Sequence, residues 1–141
     1  MAFFDSRVAV FKIDDTGTTI RTMSTFIDDL SGLPGPRNLN EVTALGDTGA
    51  KFIPGLENVT ISISGHFEDT ATTGPDAVFG PLRTHTSAVD FEYGPKGATT
   101  GFVKYSGTCW VTSYETQVAV GSQVKYTLAL QVEGAVARGT F

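Results

Sequence analysis

Val59-Thr60-Ile61-Ser62-Ile63-Ser64-Gly65-His66-Phe67 alternates without error between two kinds of residue. Val59, Ile61, Ile63 and Phe67 fall on one face, and Thr60, Ser62, Ser64 and His66 on the other. That is the two-residue period of a half-buried β-strand. The chain leading into it differs. Leu30-Ser31-Gly32-Leu33-Pro34-Gly35-Pro36-Arg37 breaks any preceding element at a Gly/Pro cluster, and a loop at 46–57 follows. The loop sets Phe52, Ile53 and Leu56 among Gly46, Gly49, Pro54 and Gly55, with Leu45 just ahead of it. A loop that runs through water is normally polar. These apolar residues therefore belong either to an internal core plug or to an arm that docks on another subunit, and both readings are open here.

Strand patterns continue on either side. Val124, Tyr126, Leu128, Leu130 and Val132 alternate with Gln123, Lys125, Thr127, Gln131 and Glu133, and Val89, Phe91 and Tyr93 with Asp90 and Glu92. Residues 102–114 are apolar on both phases around Gly107, a residue that marks a bulge or a close approach inside a strand. The run 7–13 ends at Asp14-Asp15-Thr16-Gly17, a turn. Residues 18–30, rich in β-branched side chains, return as a second strand, and 42–45 form a short one. Pro75 and Asp76 suit the start of a helix, and Gly80-Pro81 limits it to one to three turns, kinked at Pro81. Phe11, Phe91, Tyr93, Trp110 and Tyr126 fall mostly on inward phases. The sum is six or seven strands and one short α-helix: a mainly β chain, a β-sandwich or barrel with long assembly loops. No repeat or composition shift divides it, so residues 1–141 read as one domain.

Composition agrees. Sixteen glycines and six prolines among 141 residues suit turns more than a bundle, and charged residues make up only 18%. Low charge suits a subunit that covers much of its surface in an assembly. The net charge is −5, and the ten basic residues are scattered. A surface that grips nucleic acid concentrates its basic groups to displace counterions, so attraction to DNA is disfavoured. The single cysteine, Cys109, excludes an intrachain disulfide and fits a reducing compartment; beside Trp110 and Val111 it reads as a buried thiol. No signal-type segment opens the chain, and no apolar run reaches membrane-spanning length. The expectation is synthesis in the cytoplasm and no membrane partner.

Chemistry is sparse. Asp14-Asp15 and Asp28-Asp29 stand at expected strand ends, where aspartate caps turns. His66 and His85 lie apart, without the convergent ligands a zinc site requires. There is no Gly-x-Ser-x-Gly elbow. Gly46-Asp47-Thr48-Gly49-Ala50-Lys51 lacks the spacing of a phosphate loop and is followed by Phe52-Ile53-Pro54 rather than a helix. Asn58-Val59-Thr60 is a sequon without a secretory context. No catalytic residue, metal ligand or cofactor is expected.

The Gly-Leu-Pro-Gly-Pro turn at 32–36, Val42-Thr43-Ala44-Leu45-Gly46-Asp47, Lys51-Phe52-Ile53-Pro54-Gly55-Leu56 and the strand 59–67 together resemble the tail tube (major tail) proteins of long-tailed bacteriophages. The likeness continues through Val78-Phe79-Gly80-Pro81-Leu82-Arg83, Phe91-Glu92-Tyr93-Gly94-Pro95 and Lys104-Tyr105-Ser106-Gly107, then Cys109-Trp110. It rests on order and spacing over most of the chain, and departs from the family at the helix broken by Gly80-Pro81. The resemblance implies a structural virion protein of the tail whose hexameric rings stack into the channel for genome ejection. Its partners would be further copies of itself and other tail proteins (tape measure, tail terminator, distal tail), with genomic DNA only in transit. On this reading the domain has an N-terminal arm at 1–6 and a C-terminal arm at 134–141, and Phe3, Phe4, Leu45, Phe52, Ile53, Pro54 and Leu56 make contacts between subunits, with the 46–57 loop joining ring to ring. The polar faces of two strands, Thr60, Ser62, Ser64, Gln123, Lys125, Thr127 and Gln131, line the lumen. Alternatives are a tube protein of a related contractile injection or secretion machine, a tail-end protein, or a monomeric β-sandwich binding module.

Overall fold

β-branched and aromatic residues on alternating phases form strands wherever one face can be covered. In the computed structural model, which describes residues 3–141, they form nine. These are β1 (Val10–Asp14), β2 (Ile20–Thr22), β3 (Ile27–Ser31), β4 (Leu39–Glu41), β5 (Phe52–Pro54), β6 (Thr60–His66), β7 (Val89–Gly94), β8 (Val103–Gln117) and β9 (Lys125–Thr140). One helix, α1 (Pro75–Leu82), and two 3-10 turns, Ser6–Val8 and Ser24–Phe26, complete the elements. Met1 and Ala2, the start of the expected N-terminal arm, lie outside the described residues.

Seven strands make one antiparallel sheet in the order β2-β1-β7-β8-β9-β6-β3, and β4 pairs with β5 in a separate two-stranded sheet. The order forces curvature. β2 and β3 sit at opposite edges, yet only residues 23–26 separate them. Five Cα steps reach at most about 18 Å, whereas six strand spacings across a flat sheet come to roughly 29 Å. The sheet therefore curls, as a sandwich or barrel requires. The expected single strand over 18–30 is thus two strands on opposite edges. Propensity does not see the break, which tertiary contacts create. Met23 is fully buried, its N–H donates to the Phe11 carbonyl at 2.9 Å, and the Phe11 N–H donates to Ser24 Oγ at 3.2 Å.

The corner is closed from the other side by Tyr126, whose hydroxyl donates to the Phe26 carbonyl at 2.8 Å. Tyr126 stands opposite Gly65 in the β6–β9 register. A Cβ at Gly65 would overlap the Phe26 carbonyl oxygen, so only glycine lets β3 approach there. The core lies inside the curl. Ile61 and Ile63 of β6 meet Tyr126, Leu128 and Leu130 of β9, with Phe11 and Phe91 from the far strands. α1 covers it, burying Val78, Phe79 and Leu82. The Phe79 ring lies 5.6 Å from that of Tyr126. α1 has eight residues, about two turns, with Pro81 in the last one.

β8 and β9 pair over most of their lengths, with two irregularities. One adds Thr112 to β8. The other lies at Gly107, as its position in the strand predicts, but the two extra residues are in β9, where 134–136 stand against Gly107 alone, opened by Gly134 at φ +76°. Bulges bend a ribbon. Beyond this one, 137–140 continue β9 against Val103–Ser106. The expected C-terminal arm at 134–141 is therefore not free: the bulge interrupts the periodicity while the pairing resumes. Other expectations shift locally. Asp15 does cap its turn, accepting from the Gly17 and Thr19 N–H groups. Asp28 and Asp29 instead lie within β3, beside a register shift. Trp110, opposite Gln131, faces outward. Val124 precedes β9 and is exposed.

Two substitutions at the corner give a measurable ranking. Tyr126→Phe loses one buried hydrogen bond and is expected to cost about 1–2 kcal/mol. Gly65→Ala must displace backbone and should cost more, about 3 kcal/mol. Urea unfolding followed by circular dichroism checks the order; an alanine variant as stable as wild type would refute the close approach.

Candidate assembly surfaces

Between β3 and β6 the chain leaves the main sheet and builds an arm. Leu39 pairs with Pro54, Asn40 with Ile53 and Glu41 with Phe52. The base is pinned where the Gly55 N–H donates to the Asn38 carbonyl at 2.8 Å and Asn38 Nδ2 donates to the Leu56 carbonyl at 3.0 Å. Above the strands, the Val42 N–H donates to the Lys51 carbonyl at 2.8 Å and the Lys51 N–H to Thr43 Oγ1 at 2.9 Å. Asp47 organises the tip. It accepts from the Ala44 N–H at 2.6 Å and pairs with Lys51 Nζ at 2.8 Å; these donors hold its carboxyl below the usual carboxylate range. The arm is therefore a hydrogen-bonded hairpin. The short strand expected at 42–45 lies at Leu39–Glu41 instead, because pairing with β5 sets its position.

Leu45 and Leu56 are almost wholly exposed, and Leu39, Val42, Phe52 and Ile53 about half so. None of the six joins the core. Of the two readings of this loop, the core plug is excluded. Leu39 and Val42 were not singled out from the sequence, although they continue the same apolar surface. Phe3 and Phe4 are also exposed, and Lys96 Nζ sits 5.1 Å from the Phe4 ring centroid.

The outer face of the β3–β6–β9–β8 region is the polar complement of the core. Thr60, Ser62 and Ser64 of β6 stand in register with Gln131, Ala129 and Thr127 of β9. Ser31 and Ser113 enter the same face from β3 and β8. Thr60 Oγ1 donates to Gln131 Oε1 at 3.2 Å, and Gln131 Nε2 to Asn58 Oδ1 at 2.8 Å. A shallow trough of about 270 Å³ runs between the serines. At one end Asp28 accepts from Ser64 Oγ at 2.9 Å and lies 3.8 Å from Lys125 and 4.0 Å from His66. Five of the seven expected lumen residues thus share one face with Lys125 at its edge. Gln123 does not, since it lies in the loop before β9.

Among the described residues no group of three or more His, Cys, Asp or Glu converges to hold a metal, and no helix is long and apolar enough to cross a membrane. Cys109 is buried. Desolvation, reinforced by Asp90 and Asp14, pushes its thiol up to about 12.

No family model matches the chain, and no curated protein matches it in sequence. Solved structures do share its fold. The chain aligns with a chain from the virion of the native gene transfer agent (GTA) particle at TM-score 0.76 and 17% identity, covering 98% of this chain and 100% of that one. A chain from the tail of the empty GTA particle, refined with C6 symmetry, gives 0.74 and 20%, with the same coverage. The SPP1 tail tube gives 0.75 and 12%, over 99% of this chain and 80% of that one. At these identities the likeness is one of fold: the curled seven-stranded sheet, its helix and its arm form a tail-tube-like architecture.

The Cys109 environment makes a direct prediction. Its thiol is expected to resist aromatic disulfide reagents at pH 8 in the native protein and to react after denaturation. Because its folded pKa lies above the ordinary 9.0, its contribution to stability is complete below about pH 9 and is lost as pH rises towards 12. Urea midpoints between pH 8 and 11 should fall, less steeply in Cys109→Ser; rapid native labelling would contradict the burial.

Proposed function

We propose that this protein is a tail tube subunit, a structural component of a virion tail and not an enzyme. Copies close into rings of six, and the rings stack into a hollow tube through which the genome leaves. The observation that carries this reading is the arm. A chain whose fold follows the SPP1 tail tube and a chain of the GTA tail over nearly its whole length holds six apolar residues outward on a hairpin tied by its own hydrogen bonds.

The energetics favour such a contact. Phe52, Ile53 and Leu56 would each contribute up to roughly 1.5–3 kcal/mol when fully buried against a neighbour. Ordering a floppy loop would consume much of that, at about 1–2 kcal/mol per residue; a preformed hairpin avoids most of the loss. Six such contacts per ring then act together. Closure within a ring uses the sheet edges, since β2 and β3 each present unpaired amides and carbonyls on one side. Sixfold symmetry is supported by the C6 tail of the GTA particle. The hydroxyl and amide face of β6 and β9 suits the lumen, because it offers phosphates few cations to bind. Other tail proteins would cap and fill such a tube, and subunits would be made in the host cytoplasm.

At raised concentration the purified protein should form rings and tubes with a central channel in negative-stain electron microscopy. A species that stays monomeric at every concentration would refute the proposal. Replacing Phe52 and Ile53 with serine should leave β-type circular dichroism intact and abolish tubes. If that double variant polymerises like wild type, the arm is not the stacking element.

A further inference from the structure

The register places a second exposed apolar element at the end of the sheet opposite the arm. The arm leaves β3 at Ser31 and enters β6 at Thr60, and Ser31 pairs with Ser62. At the other end of β6, His66 pairs with Lys125, which pairs with Gln117. Beyond that pair β8 and β9 are joined by residues 118–124, Val118-Ala119-Val120-Gly121-Ser122-Gln123-Val124. Seven residues of β6, about 20 Å of strand, separate arm from tip.

This tip is unlike a solvated turn. It contains no charged residue, and Val118 and Val120 are 78% and 107% exposed, with Val124 at 37%. Its shape is set by the Ser122 N–H donating to the Ala119 carbonyl at 3.2 Å and by Gly121 at φ +82°. The arm presents a matching surface, since its tip charges, Asp47 and Lys51, neutralise each other. Two apolar protrusions at opposite ends of the same sheet cannot meet within one subunit. Between copies they make a heterologous, head-to-tail contact, which propagates without closing.

We infer that the β8–β9 tip, through Val118, Val120 and Val124, is the receiving surface for the arm of a second copy of this chain in the next ring. The inference rests on the tube reading and adds polarity to it: every ring has an arm face and a tip face, and growth joins one to the other.

Cysteine pairing tests it. Leu45→Cys and Val120→Cys are prepared separately, native Cys109 being buried. Under mild oxidation a disulfide-linked dimer should appear when the two variants are mixed under tube-forming conditions, and not with either alone. Dimers from Leu45→Cys alone, or tubes from the mixture without any cross-link, would overturn the inference while leaving the tube reading in place. Independently, Val120→Asp should keep β-type circular dichroism and rings but lose tubes. Tubes of wild-type length, or loss of the fold, would count against the tip. If wild-type protein forms no tubes, the tube reading itself fails, and this contact with it.

Discussion

Four residues joining opposite edges of a seven-stranded sheet are the constraint on which the rest of the molecule depends. Met23 to Phe26 are too few to span a flat sheet, so the sheet must curl. The curl creates the interior that the aromatic and aliphatic faces fill. Tyr126 and Gly65 then make the closed form specific: one supplies the hydroxyl that reaches the Phe26 carbonyl, and the other removes the atom that would block it. With the edges drawn round, the polar phases of β6 and β9 are left together on one outer face, and the connection from β3 to β6 is left to run outside the main sheet.

What could be seen in the sequence follows from the range of the interactions concerned. Strands whose alternation reflects one buried face, such as β6, β7 and the first half of β9, were legible because each residue reports its own burial. The helix was legible from Pro75 and limited by Pro81. The split of 18–30 was not, since Thr and Ile suit either one strand or two and the deciding contacts come from Phe11 and Tyr126, distant in sequence. The extension of β9 past Gly134 was hidden because a bulge shifts the phase without ending the pairing. Trp110 misled for a related reason: in a strand apolar on both faces, the register rather than hydrophobicity decides which side faces out.

The candidate surfaces divide the same way. The arm announced itself through apolar residues among glycines and prolines, and the structure resolves the choice between plug and projection by leaving them uncovered. Leu39 and Val42 were missed because each sits in an ordinary-looking polar stretch. The tip at 118–124 carried a usable signal in seven consecutive residues without a charge. Three valines around a single glycine, however, look like any hairpin turn until their exposure is known.

The separation of the arm's two-stranded sheet from the main one has a mechanical consequence. No ladder of hydrogen bonds joins the two, so a pull on the arm reaches the domain through residues 32–38 and 55–59, the second of which is tied to β9 by Asn58 accepting from Gln131 Nε2, Glu57 accepting from the Val136 N–H and the Val59 carbonyl accepting from the Val132 N–H. The arm is thus joined to the sheet at its root, and a load on it is passed to β9 at these three contacts. If copies stack as proposed, bending would be taken up where each arm meets its neighbour, while the curled sheets would keep their shape.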